Sequence, residues 1–193
     1  MRLKPSLPIV SAKSARDWGK WLAKHHARAS GVWLRIFKKG SGEATVTYAE
    51  ALDEAPCFGW IDSQKQAHDK SSYLQKFSPR KAASGWSKIN TRHAERLKKA
   101  GRMKPAGLKE IQGAKRDGRW KSAYDSPAAA SAPADFPAAL EKNKKAKAFF
   151  RTLEKRNSYA IIYRLQTAKK PETRAARMRA IIEMLAKGKK FHP

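Results

Sequence analysis

The sequence predicts an α+β protein: a small antiparallel sheet packed with helices, followed by a helical C-terminal bundle. Three observations carry this reading. Val32–Phe37 is a run of β-branched and aromatic residues that suits a central strand, and two similar runs follow at residues 58–62 and 73–77. Residues 125–134, D-S-P-A-A-A-S-A-P-A, have the composition of a linker. Beyond them the chain is rich in Ala and Lys, with apolar residues at helical spacing. The expected organisation is therefore an α+β domain over 1–124, the linker over 125–134 and a basic helical domain over 135–193.

In chain order, residues 1–13 read as an extended lead-in with Pro5 and Pro8. Ser14 can cap a helix running to about Ala29, with Trp18, Trp21, Leu22 and His25 on its inner face. Gly31 closes that turn, and the central strand follows. Thr47 and Glu50 form a capping box for a short helix with Ala49, Leu52 and Ala55 near its buried side. Pro56 removes a donor and disfavours helix at Ala55, so the helix ends or kinks there. The next two strands join through a turn at residues 68–72, giving an antiparallel meander in which Tyr73, Gln75 and Phe77 share a face. Ser84 or Ser87 opens a helix through Lys99 with Ile89 and Leu97 inward, and Gly101 caps it. A second helix starts at Pro105 and ends near Gly118, and Trp120 and Tyr124 close the domain. The tail then holds three or four short helices, the last between Pro171 and Gly188.

The 193 residues carry 43 Lys and Arg against 16 Asp and Glu, a formal charge of +27. Such a field attracts polyanions: nucleic acid, anionic headgroups or acidic proteins. One cysteine excludes an intramolecular disulfide and a Cys-cluster zinc site. The first residues hold no sustained apolar run, and nothing later is apolar enough to span a bilayer, so a cytoplasmic location is expected.

Two constellations are candidates for function. Trp60, Asp62, Arg80, Trp86 and Asn90, with Tyr73 and Phe77 nearby, form the first. Asp62 and Arg80 can pair across the strand corner as a carboxylate–guanidinium bridge, or line a pocket walled by Trp60 and Trp86; equally, these residues can simply hold the core. The second is the basic tail, where Lys169, Lys170, Arg174 and Arg177 head a dense set of cations suited to a polyanion. Tyr159 and Tyr163, four residues apart, are stacking groups or bundle packing. Cys57 follows a helix end, the wrong end to activate a thiol, and reads as buried and inert. The five histidines make no ligand pair, and no phosphate loop or nucleophile elbow is present. No catalytic residue, metal or cofactor is assigned.

The motifs together resemble the YdeI/OmpD-associated family, also called bacteriocin-protection proteins. G-V-W-L and K-K-G-S-G, T-Y-A-E-A-L, C-F-G-W-I-D-S, Y-L-Q-K-F-S-P-R-K, S-G-W-S-K-I-N, G-R-M-K-P-A-G, A-K-R-D-G-R-W and A-K-K-P-E-T-R occur in family order from about Trp18 to Leu185. Pro56 departs from the pattern, which carries leucine there. The resemblance implies a soluble α+β protein with a helical C-terminal domain and a link to envelope stress or defence against antimicrobial peptides. With the charge, it leads to a non-enzymatic cytoplasmic stress protein that binds an anionic partner, nucleic acid or acidic protein. An enzyme or small-anion binder using the Trp/Asp/Arg pocket is the alternative, and a non-specific nucleic-acid binder the third.

Overall fold

In the computed structural model, residues 7–193 are described. Of the expected lead-in, residues 1–6 with Pro5 lie outside the described residues. The chain divides into two compact units, Met1–Ser84 with His93–Gly113, and Gly85–Arg92 with Ala114–Pro193. Four strands and eight α-helices are found among the described residues.

The first unit opens with β1 (Ile9–Ser11), α1 (Ala15–His25), β2 (Val32–Phe37) and α2 (Tyr48–Glu54). A 3-10 turn (Ala55–Phe58), β3 (Trp60–Ala67) and β4 (Ser72–Pro79) complete its sheet. Local chemistry fixes most of the boundaries. Ser14 accepts the Asp17 amide to start α1, which stops at His25; Ala29 N–H still folds back onto the His25 carbonyl as the helix runs out. The Thr47–Glu50 capping box is present in full. Pro56 sits in the first turn of the 3-10 segment, where its missing N–H costs nothing, and Gly59 leaves that segment at φ 74°.

The sheet order is β1-β2-β4-β3, so β4 inserts between β2 and β3. The expected meander is thus replaced by a β3–β4 hairpin whose second strand returns to β2. The sheet is also mixed rather than purely antiparallel, because β1 runs parallel to β2. A residue of the lead-in helps to hold this edge: Trp33 N–H donates to the Pro8 carbonyl at 2.9 Å. Residues 68–72 make the hairpin turn as expected. Asp69 Oδ1 accepts the Ser71 amide and both serine hydroxyls there.

Helices α1 and α2 cover one face of the sheet. Trp18, Leu22, Val32, Leu34, Ile36, Trp60 and Phe77 form the core, and Trp21 stacks on Trp18 at 5.2 Å. Each such large side chain removed from water contributes about 1.5–3 kcal/mol.

α3 (Lys88–Lys99) and α4 (Pro105–Arg116) follow, and Ser87 is the cap that opens α3. Ile89 is 48% exposed instead of inward; Ala94 and Leu97 are the buried positions. Eight residues along a helix is about 80° past two full turns, so Ile89 and Leu97 do not share a face. In the first unit α4 approaches the 3-10 turn closely: Lys104 N–H donates to the Cys57 carbonyl, and a Cβ on Gly107 would lie 2.5 Å from both the Pro56 and Cys57 carbonyl oxygens.

The second unit is helical, with α5 (Asp135–Glu141), α6 (Lys144–Arg151), α7 (Lys155–Gln166) and α8 (Pro171–Ala186). Its core gathers Phe136, Leu140, Ala146, Ile161, Leu165, Ile181 and Leu185, and Phe150 meets Phe136 edge-on. Buried Asn157 exchanges both of its amide groups with the His192 backbone and so fixes the end of the chain.

Candidate functional site

The residues proposed for a Trp/Asp/Arg pocket fall in both units. Trp60, Asp62, Tyr73, Phe77 and Arg80 are in the first, Trp86 and Asn90 in the second. Trp60 is 1% exposed, donates its indole N–H to the His26 carbonyl and meets Trp21 edge-on. Phe77 is fully buried against Trp18. Neither ring has a face to offer a ligand, because β3 and β4 turn both into the core. Tyr73 is half-buried, with the Lys65 ammonium 4.1 Å over its ring.

The Asp62 carboxylate accepts the Tyr48 hydroxyl at 2.7 Å rather than bridging to Arg80. Burial and then this bond to a carboxylate push the Tyr48 phenol above its ordinary range. Arg80 is 8% exposed, and its N–H donates to the Gly59 carbonyl. In the second unit Trp86 is buried with its ring 4.8 Å from Trp120. Asn90 lies in the first turn of α3, its amide capped by Ser87 Oγ.

A charged cluster that no motif announced holds the first unit together. Asp53 Oδ1 lies 2.5 Å from both His93 Nε2 and Arg96 Nη2, and Oδ2 accepts Arg102 at 3.2 Å. Arg102 also binds Glu54 at 2.6 Å. Burial works against the Asp53 charge, but the bonds from His93 and Arg96 outweigh it and hold its carboxyl below the usual range. A carboxylate so engaged ties α2 to α3 and is poorly placed to serve as a base. Neighbouring Cys57 is buried, and that burial pushes its thiol up to about 11, so it is no nucleophile at neutral pH.

The cations of the basic tail divide by what they touch. Arg174 makes a two-pronged pair with Asp135. Arg177 donates to the Arg164 carbonyl at 2.7 Å, and Lys169 lies 3.9 Å from Asp117. Lys170 is exposed at the N-cap of α8. Tyr159 and Tyr163 are half-buried: Tyr159 donates to the Asp125 carbonyl, and Tyr163 packs edge-on against Tyr124.

Around these residues the second unit forms its candidate site, a groove along α8. One part, of about 560 Å³, surrounds the head of the helix at Lys169, Lys170, Arg174 and Arg179. The other, of about 580 Å³, continues between α5 and α8 over Met178 and Ile182, and both share Asp135, Met178 and Arg179. The two acids in the groove are already neutralised, Asp135 by Arg174 and Glu183 by Lys187. The side chains of Lys142, Lys170 and Arg179 make no hydrogen bond or ion pair among the described residues. The result is an apolar floor with a net positive rim. No group of three or more His, Cys, Asp or Glu among the described residues is placed to hold a metal. No helix among them is long and apolar enough to cross a membrane.

Fold and groove together define a basic α+β protein whose second unit is helical and grooved. Residues 129–188, which span α5 to α8 and the groove, match the family model described as bacteriocin-protection, YdeI or OmpD-associated. Residues 10–110, just over half of the chain, match a domain of unknown function, DUF8412. The chain thus belongs to the DUF8412 family over residues 10–110, and its helical segment, residues 129–188, matches the YdeI/OmpD-associated family. The resemblance read from Trp18 to Leu185 therefore resolves into two adjoining families. No curated protein and no solved structure matches the chain.

Proposed function

We propose that the protein is a non-catalytic, cytoplasmic stress protein of the bacteriocin-protection type that works by binding an anionic partner in the α8 groove. The partner best suited is an acidic, amphipathic protein segment. The observation that carries this is the division of charge in the groove: its acids are paired internally, while Lys142, Lys170 and Arg179 stand at its rim over Met178 and Ile182. An apolar floor supplies affinity, and a rim of one sign supplies selection and faster encounter. The net charge of +27 acts in the same direction, drawing anions in and repelling a cationic peptide. The match of this segment to the bacteriocin-protection family agrees with a protective role exerted through a partner. The cytoplasmic part of the reading fits a chain that builds both cores without a disulfide.

The test is titration of a labelled acidic amphipathic peptide, with Glu on one face and Leu on the other. Lys170→Glu with Arg179→Glu is expected to weaken binding by on the order of tenfold or more, since two rim charges are reversed. Lys20→Glu with Lys24→Glu on α1, far along the chain, reverses the same number of charges and serves as the charge control. Equal losses in both proteins would mean that only net charge is sensed, and the groove reading would fall.

A further inference from the structure

The sheet of the first unit has a face that its core does not use. Along β2, Val32, Leu34 and Ile36 are buried, while Trp33, Arg35 and Phe37 point the other way and stay half-exposed. The strand register carries this outer face across the sheet: Lys76 on β4 and Ile9 on β1 both lie beside Trp33, while Leu74 and Ser72 on β4, beside Arg35 and Phe37, are buried, so Trp33, Phe37 and Lys76 are the accessible part of the face. β2 is an inner strand, so these side chains stand near the middle of the face rather than at an edge. A solvated sheet face is ordinarily polar, and the two aromatic rings here are not needed to fill the core on the opposite side.

Each ring comes with a cation. The Arg35 guanidinium lies 4.4 Å over the Phe37 ring, held there by Ser72 Oγ at 2.9 Å and Asp69 at 2.8 Å. The Lys76 ammonium lies 5.9 Å from the Trp33 ring centre. Where β2 ends and the β3–β4 hairpin turns, Lys38, Lys39 and Lys70 are exposed. Asp69 in that turn is already taken by Arg35, Ser71 and Ser72, and Glu43 in the loop after β2 is exposed. Trp33 and Phe37, four residues apart on one strand, are separated by about 13 Å.

We infer that this face binds single-stranded nucleic acid, with bases stacked on Trp33 and on the Phe37–Arg35 pair and phosphates drawn to Lys76 and the lysines at the hairpin end. Flat, partly exposed rings and a guanidinium plane on a sheet face suit unstacked bases, which a duplex keeps inside. The chain's charge alone would attract duplex and single strand together; the rings are what favour the single strand. An acidic peptide would use the lysines but gain little from the rings. The site is in the other unit from the α8 groove and stands independently of it.

The test compares a labelled single-stranded oligonucleotide with its duplex at about 200 mM salt, where non-specific binding is weak. The intact protein is expected to prefer the single strand. Trp33→Leu and Phe37→Leu keep apolar bulk but remove the stacking face, and each should weaken single-strand binding by roughly 5- to 100-fold while leaving duplex binding unchanged. If Trp33→Leu fails to fold by circular dichroism, Phe37→Leu carries the test alone. Equal affinity for both forms in the intact protein, or an unchanged preference in a folded variant, would overturn the inference. Lys170→Glu with Arg179→Glu should leave the preference intact, which separates this site from the groove.

Discussion

Asp125 and Gln166 hold each other from both sides. The Asp125 backbone N–H donates to Gln166 Oε1 at 3.0 Å, and Gln166 Nε2 donates to Asp125 Oδ2 at 2.8 Å. Lys88 binds the other carboxylate oxygen at 2.9 Å, and Tyr159 donates to the Asp125 carbonyl. A residue at the head of a stretch composed like a linker is thus a fixed point of the second unit. Gln166→Ala should lower stability by about 1–3 kcal/mol, because it leaves a half-buried N–H and a carboxylate without their partner. Chemical denaturation measures this, and a change within error would show the pair to be dispensable.

The same carboxylate predicts acid sensitivity. Its bond to Lys88 holds the Asp125 carboxyl below the usual range, the bond to Arg174 does so for Asp135, and Asp53 is lowered as described. Groups with depressed folded pKa values stabilise the fold above the unfolded carboxyl value of about 3.9 and lose that contribution as pH falls through the lower folded values. The melting temperature should therefore change little from pH 7 to 5 and fall below about pH 4. Asp125→Asn should flatten that fall, and scanning calorimetry across the range checks both points.

Cys57 should resist modification in the native protein. With its thiol pushed up to about 11 and its side chain buried, a disulfide reagent at pH 8 meets almost no accessible thiolate. Labelling should become rapid only in denaturant. Stoichiometric labelling of the native protein within seconds would contradict the buried position.

Gly107→Ala tests the close approach of α4 to the 3-10 turn. Replacing a helical glycine by alanine ordinarily gains up to about 1 kcal/mol. Here the added methyl would meet two carbonyl oxygens at 2.5 Å, so overpacking of about 1–3 kcal/mol should win. A more stable variant would mean that the turn yields easily.

What could be read ahead of the structure was mostly local. The Thr47–Glu50 box, Ser14, Ser87, Pro105 and Pro171 each act within one helical turn, so their chemistry is visible in adjacent letters. The strand order was not legible, because β4 pairs with β2 across about 40 residues and nothing in either strand names its partner. The tie of Asp53 to His93, Arg96 and Arg102 is equally remote. Trp60 and Phe77 stood out as aromatic residues, but composition does not say whether a ring faces a core or a ligand. The A-K-K-P-E-T-R motif marked the head of the groove, while Asp135, which occupies its arginine, lies 39 residues earlier.

The division of the chain into its two units also bears on how the protein is made. Gly85–Arg92 belongs to the second unit, yet it leaves the ribosome before His93–Gly113, which completes the first. While the first unit closes, Trp86 still lacks Trp120, and Tyr124 must wait longer for Tyr163. During synthesis the Trp86 indole therefore stands in the nascent chain before Trp120 has emerged to pack on it, and incompletely packed apolar surface is where chaperones and misassembly compete. A pause in translation between residues 86 and 120 would prolong the interval before that ring pair can form.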